Sequence, residues 1–173
     1  MNALLRLTRG AAHVALGLSA AALLASLAVI VYAVVRRYVF NTPVAWTDEL
    51  VGYLLVASVM LAAADALLGG EHISVDIVTE RLGARARRIA YLFGLVAVAA
   101  SGILLMVEGL GMVRFSRQVG LRSNGALALP LWIPQSLVPL GALLLLLAAI
   151  AAFVAACRGE ASPVRDTPAA GIE

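Results

Sequence analysis

Four long apolar runs dominate the chain and leave it few folds to choose from. They cover about residues 11–35, 50–68, 89–113 and 134–157. Crossing the roughly 30 Å hydrocarbon core of a bilayer takes about 20 apolar residues of helix. Backbone polar groups find no water there, so a spanning segment must satisfy them within itself, as a helix does. The runs therefore predict an all-α membrane protein with four transmembrane helices. Composition agrees: charged residues make up 13% of the chain, against about 25% in a typical soluble domain. Pro130, Pro134 and Pro139 crowd the entry to the fourth run. Proline is tolerated at a helix start, where its missing N–H had no partner anyway, so the regular part of span four is expected after Pro134.

Arg6 and Arg9 precede the first run, as in a signal peptide. The run is too long for an h-region of about 7–15 residues and reads as an uncleaved first span. Four spans put both termini on one side. Arg6, Arg9, Arg81, Arg85, Arg87, Arg88, Arg158 and Arg165 fall on that side, eight in all, against five on the other: Arg36, Arg37, Arg114, Arg117 and Arg122. The positive-inside rule then makes both termini cytoplasmic. All thirteen cations are arginine and sit at span ends. The net charge of +3 is thus a topology signal, with no basic stripe for nucleic acid.

Between spans two and three, Ser74 can cap a short helix that Gly83 ends, with Val75, Val78 and Leu82 on one face and Asp76, Thr79 and Glu80 mostly on another. This predicts a short amphipathic helix lying at the interface. Residues 159–173 have no periodicity and are expected to be a disordered cytoplasmic tail behind a single four-span domain, residues 1–158. Three series suggest packing seams, since small residues let membrane helices approach closely. They are Gly17, Ala21 and Ala25; Gly94, Ala97, Ser101, Leu104 and Glu108; and Gly141, Ala148, Ala152 and Ala155.

Chemistry-bearing residues are scarce. Asp65 and Glu108 are the only acids well inside apolar runs, and an intramembrane acid marks a candidate functional site. Each lies within a turn or two of a span end, where pairing is favoured over a transport role. His72 and Asp76 lack the further ligands that a zinc site needs, and His13 and His72 lie too far apart along the chain to supply them. Cys157 is the single cysteine, so neither an internal disulfide nor a multi-thiolate site can form. No phosphate loop or nucleophile–base set is present. The sequence predicts neither a cofactor nor an enzyme. The span middles are apolar or small, whereas a carrier needs a broken helix or ionisable group near the midplane.

The densest polar stretch is residues 36–49, which carry Arg36, Arg37, Asp48, Glu49, three aromatics and Pro43. Thr47 is placed to cap span two, with Asp48 and Glu49 in its first turn, favourable to the helix dipole. Tyr38 and Trp46 suit the interfacial belt. Neither helix capping nor an interfacial belt requires the Arg36/Arg37 pair or Asn41.

Three stretches together resemble the small, DctQ-like membrane subunit of tripartite ATP-independent periplasmic (TRAP) transporters. The first comprises Arg37, Tyr38, Phe40, Asn41, Pro43, Trp46, Asp48 and Glu49; the second Gly70, His72, Ile73, Val75 and Asp76; the third Pro130, Trp132, Ile133 and Pro134, followed by Pro139 and Gly141. Their order and spacing around four spans match from about residue 10 to 157. Asp48 departs from the pattern, which more often has glutamate there. The resemblance implies a non-catalytic subunit of the bacterial inner membrane. It would pair with a large sodium-coupled membrane subunit and help dock a periplasmic substrate-binding protein that delivers organic acids. On this reading Arg37, Tyr38, Asn41, Trp46, Asp48, Glu49, His72 and Asp76 are candidate partner contacts or internal braces. Membrane lipids are the other expected partner. The rival expectation is a small autonomous four-span carrier acting as an oligomer.

Overall fold

A computed structural model describes residues 3–69 and 84–157. Five helices account for most of them: α1 (Ala3–Tyr38), α2 (Trp46–Gly69), α3 (Ala84–Val119), the single turn α4 (Trp132–Gln135) and α5 (Leu137–Cys157). Four segments are long and apolar enough to cross a membrane: Thr8–Tyr38, Trp46–Gly69, Ile89–Val119 and Trp132–Cys157. The four expected spans are thus present. α1 and α3 overrun the predicted limits because polar residues continue each helix past its apolar stretch. At 1.5 Å per residue, 36 residues make a helix of about 54 Å. The fourth segment opens with the separate turn α4, which contains Pro134, and the long helix α5 follows from Leu137. The expected interfacial helix, with His72 and Asp76, and the tail 159–173 lie outside the described residues.

The helices run up and down. Neighbours in space follow the order α1, α2, α5, α3, and α5 also touches α1. Near the chain termini the core gathers Ala12 of α1, Ala64 and Leu67 of α2, Leu95 of α3, and Ala148 and Ala149 of α5. Small residues set the helix spacing. A Cβ built on Gly141 of α5 would lie 2.6 Å from the Met60 carbonyl oxygen of α2. One on Gly109 of α3 would lie 3.1 Å from Pro139 Cδ, and one on Gly102 3.7 Å from the Ala142 oxygen. Pro139 sits in the first turn of α5, where no intrahelical N–H bond is lost. Ser19 of α1 donates to the Ser58 carbonyl of α2 at 2.7 Å. The outside is greasy: Leu24, Val59, Phe93 and Leu104 are each more than half exposed. That surface suits lipid and would be an aggregation liability in water.

Of the three predicted seams, only the one in span four faces inward. Gly141 and Ala148 are buried, and Ala152 and Ala155 partly so. Gly17, Ala21 and Ala25 are exposed, and α1 instead turns Ala12, Ala15, Ser19 and Ser26 inward. On α3 the whole series Gly94, Ala97, Ser101, Leu104 and Glu108 points outward, while Leu95, Gly102, Gly109 and Ser116 are buried. The reason is geometric. A small-residue series permits close approach but does not name the partner, and each helix carries more than one such face.

Candidate functional site

The polar groups converge at the end of the bundle where α1 and α3 finish and α2 and α5 begin. α3 stops directly before a left-handed residue, and the chain leaving α1 passes through one three residues after Tyr38. Gly120 has φ +67°, and the Leu121 N–H bonds the Ser116 carbonyl at 2.9 Å, the six-to-one bond of a Schellman terminus. Asn41 has φ 53°, and beside it the Thr42 N–H bonds back to the Arg36 carbonyl at 3.0 Å. Asparagine tolerates this region better than other non-glycine residues, so Asn41 has a local backbone role that the capping argument had not required.

α2 starts one residue earlier than its predicted cap. Thr47 is almost fully buried inside the first turn, and its hydroxyl donates to the Val44 carbonyl at 2.9 Å. It ties the incoming loop to the helix from within and does not cap an N–H. Asp48 and Glu49 occupy the first turn as expected. Trp46 packs on Tyr32 of α1 with ring centroids 6.1 Å apart. Tyr38, one turn and a half further along, is 78% exposed.

Glu49 holds the site together. Its Oε1 accepts from the Tyr53 hydroxyl at 2.7 Å, one turn along α2. Its Oε2 accepts from the Leu127 N–H at 3.3 Å, across 78 residues of sequence. The Ser123 hydroxyl stands beside this carboxylate. Leu127 and Ser123 belong to the loop that leaves α3. The loop folds back on itself through an antiparallel bridge between Arg122 and Pro130, with Ser123 N–H to Leu129 carbonyl at 2.9 Å. Gly125 at its tip lies directly against Glu49: an added Cβ would collide with Oε2 and sit 2.7 Å from Cδ. Ala128 adopts φ 46°, a region that costs a non-glycine residue about 1 kcal/mol or more. The loop therefore holds a shape its own chain does not favour, fastened at one side by a carboxylate. α4 is held against α3 by the Arg117 guanidinium, 5.8 Å from the centre of the Trp132 ring.

Arg37 and Asp48 remain. They line one groove between the end of α1 and the start of α2, with a volume of about 270 Å³. Among the described residues no ion pair within 4 Å joins Arg37 to Asp48 or to Glu49. Arg36 Nε and Gln135 Oε1 are buried without a hydrogen-bond partner among those residues.

At the opposite end, Asp65 of α2 meets His13 of α1, with Oδ1 and Nδ1 2.9 Å apart. Asp65 is thus paired within the chain, through a histidine whose own sequence context gave no hint of it. Glu108 is exposed and makes no ion pair or hydrogen bond among the described residues. Local reading also missed Ser123, Gly125 and Leu127, because contacts over seventy residues apart leave no local signal. Tyr53 was legible, being four residues after Glu49 on one helix face. Nowhere among the described residues do three His, Cys, Asp or Glu side chains come together. The arrangement fastens helices and presents surfaces.

Residues 26–159 match the family model for tripartite ATP-independent periplasmic transporters, DctQ component. No curated protein matches the chain.

Proposed function

We propose that this chain, which belongs to the DctQ family, the small permease component of TRAP transporters, scaffolds the large sodium-coupled transport subunit. On this reading it also helps dock the substrate-binding protein during organic-acid uptake. It spans the bacterial inner membrane with both termini cytoplasmic, so the Glu49-fastened end faces the binding protein.

One observation carries the scaffold reading: the outward face of α3. Gly94, Ala97, Ser101, Leu104 and Glu108 lie along it, exposed, with the Glu108 carboxylate unpaired among the described residues. A charged side chain facing hydrocarbon costs about 2.5–3.5 kcal/mol at a span centre and less towards its end. Small residues below it would let a partner helix approach closely enough to cover it. The fastened loop end supports docking, because a binding protein meets a surface already ordered.

The test is co-purification with the large subunit. Ala97→Phe and Ser101→Phe each place a ring on the outward face and touch nothing inside the bundle. Each is expected to cut the large subunit recovered by about tenfold, with helical content and melting temperature unchanged. Recovery at the wild-type level from both variants would remove this face from the interface.

A further inference from the structure

The groove beside Arg37 has a shape and charge pattern of its own. Ile30, Val34 and Arg37 form one stripe of α1, and Asp48 and Val51 face them from the first turns of α2. Seven residues separate Ile30 from Arg37, about 10 Å along a helix axis. The groove therefore runs along the helices: an apolar floor lies deeper in the span, and a cation, an anion and the Tyr38 ring stand at the rim. Val34 and Ile30 are each more than two fifths exposed, so the floor opens sideways to the surface that meets lipid.

The two charges line this small cavity with no ion pair within 4 Å between them. A cation and a carboxylate held apart at a membrane boundary complement a molecule that carries the opposite pair. Arginine takes a phosphate with charge-assisted bonds. A carboxylate takes a primary ammonium, which donates hydrogen bonds that a quaternary ammonium cannot. The apolar floor takes an acyl chain. Basic pockets between membrane helices are known lipid-headgroup sites; here the added carboxylate favours a headgroup that also carries a cation.

We propose that the groove is a binding site for one phospholipid whose headgroup carries a phosphate and a primary ammonium, the phosphatidylethanolamine class. Arg37 holds the phosphate, Asp48 the ammonium, and Ile30, Val34 and Val51 the first part of a chain. The lipid thereby seals the seam between α1 and α2 at the end where the binding protein is expected. This inference needs only a membrane-inserted chain and stands whether or not the α3 face meets the large subunit.

Native mass spectrometry of the full chain, delipidated in detergent and titrated with defined lipids, tests it. Phosphatidylethanolamine is expected to bind roughly tenfold more tightly than phosphatidylcholine or phosphatidylglycerol. Arg37→Gln should lower its affinity about tenfold. Asp48→Asn should leave binding but bring the preference over phosphatidylcholine down to about twofold. Val34→Trp, which fills the floor and keeps both charges, should abolish binding. Free phosphoethanolamine at equal concentration is expected not to bind, since the chain contributes. Circular dichroism checks that each variant is folded. Equal affinity for the three lipids, undiminished binding to Arg37→Gln or Val34→Trp, or equal binding of the free headgroup would each overturn the proposal.

Discussion

Gly141→Leu is expected to break the bundle. The glycine lies where α5 crosses α2, and even one added carbon would come 2.6 Å from the Met60 carbonyl oxygen and 2.7 Å from its Cβ. The oxygen belongs to the helix backbone, so no side chain can swing away; one helix must move. Overpacking a well-filled contact costs about 1–3 kcal/mol, which sets the scale for Gly141→Ala. Leucine adds three carbons more and should separate α2 from α5 outright. Because α5 also bears Pro139 and Ala142, the seats of Gly109 and Gly102, α3 would lose its place too. Thermal melting in detergent reads this directly. Gly94→Ala is the control, since nothing lies within 4 Å of a carbon added there. A helical Gly→Ala change on an open face is expected to stabilise by up to about 1 kcal/mol. A melting temperature for Gly141→Leu at the wild-type value would contradict the close α2–α5 crossing.

The second large effect concerns the Glu49 fastening. Glu49→Ala removes at once the acceptor for the Leu127 N–H and the Tyr53 hydroxyl, and the carboxylate that the Ser123 hydroxyl stands beside. The loop of Ser123 to Leu127 is then held mainly by its own bridge, with Ala128 still in an unfavourable conformation. Trypsin provides a clean readout, because Arg122 is exposed at the base of this loop. Cleavage there is expected to accelerate roughly tenfold or more, since proteolysis follows the population of the opened segment. Gly125→Val should do the same without touching the carboxylate's charge, by pushing Glu49 out of its seat. Glu49→Gln keeps an acceptor but loses the charge-assisted character, and should fall between. Agreement between Glu49→Ala and Gly125→Val is the signature of a shared fastening. Wild-type cleavage rates in both would remove it.

The chain's architecture was written plainly in its sequence, and its interfaces were not. Four runs of apolar residues bounded by arginines name four spans because lipid leaves a backbone no alternative to a helix. The inward faces do not follow, since a helix that is apolar all round has no polar side to mark its outside. On α3 the eye settles on Gly94, Ala97 and Ser101, but burial goes to Leu95, Gly102 and Gly109. Only the partner helices decide between the two. The contacts Glu49–Leu127 and His13–Asp65 depend on the registers of helices distant along the chain, which no local pattern encodes. Asn41 lies between the two cases. A left-handed terminus at an asparagine just after a helix can be read from sequence, yet the density of charges around it drew attention to side-chain chemistry instead. Thr47 errs by a single residue: the helix begins at Trp46, so the hydroxyl finds a carbonyl behind it and not an N–H ahead.

A scaffold subunit is a non-transporting member of a larger assembly. Substrate uptake into proteoliposomes under a sodium gradient tests this most directly, with the small subunit, the large subunit and the binding protein added singly and together. No uptake is expected from the small subunit alone, and full uptake only when all three are present. Sodium-driven uptake by the small subunit alone, abolished by Asp65→Asn or Glu108→Gln in a protein that still folds, would contradict it and establish an autonomous carrier.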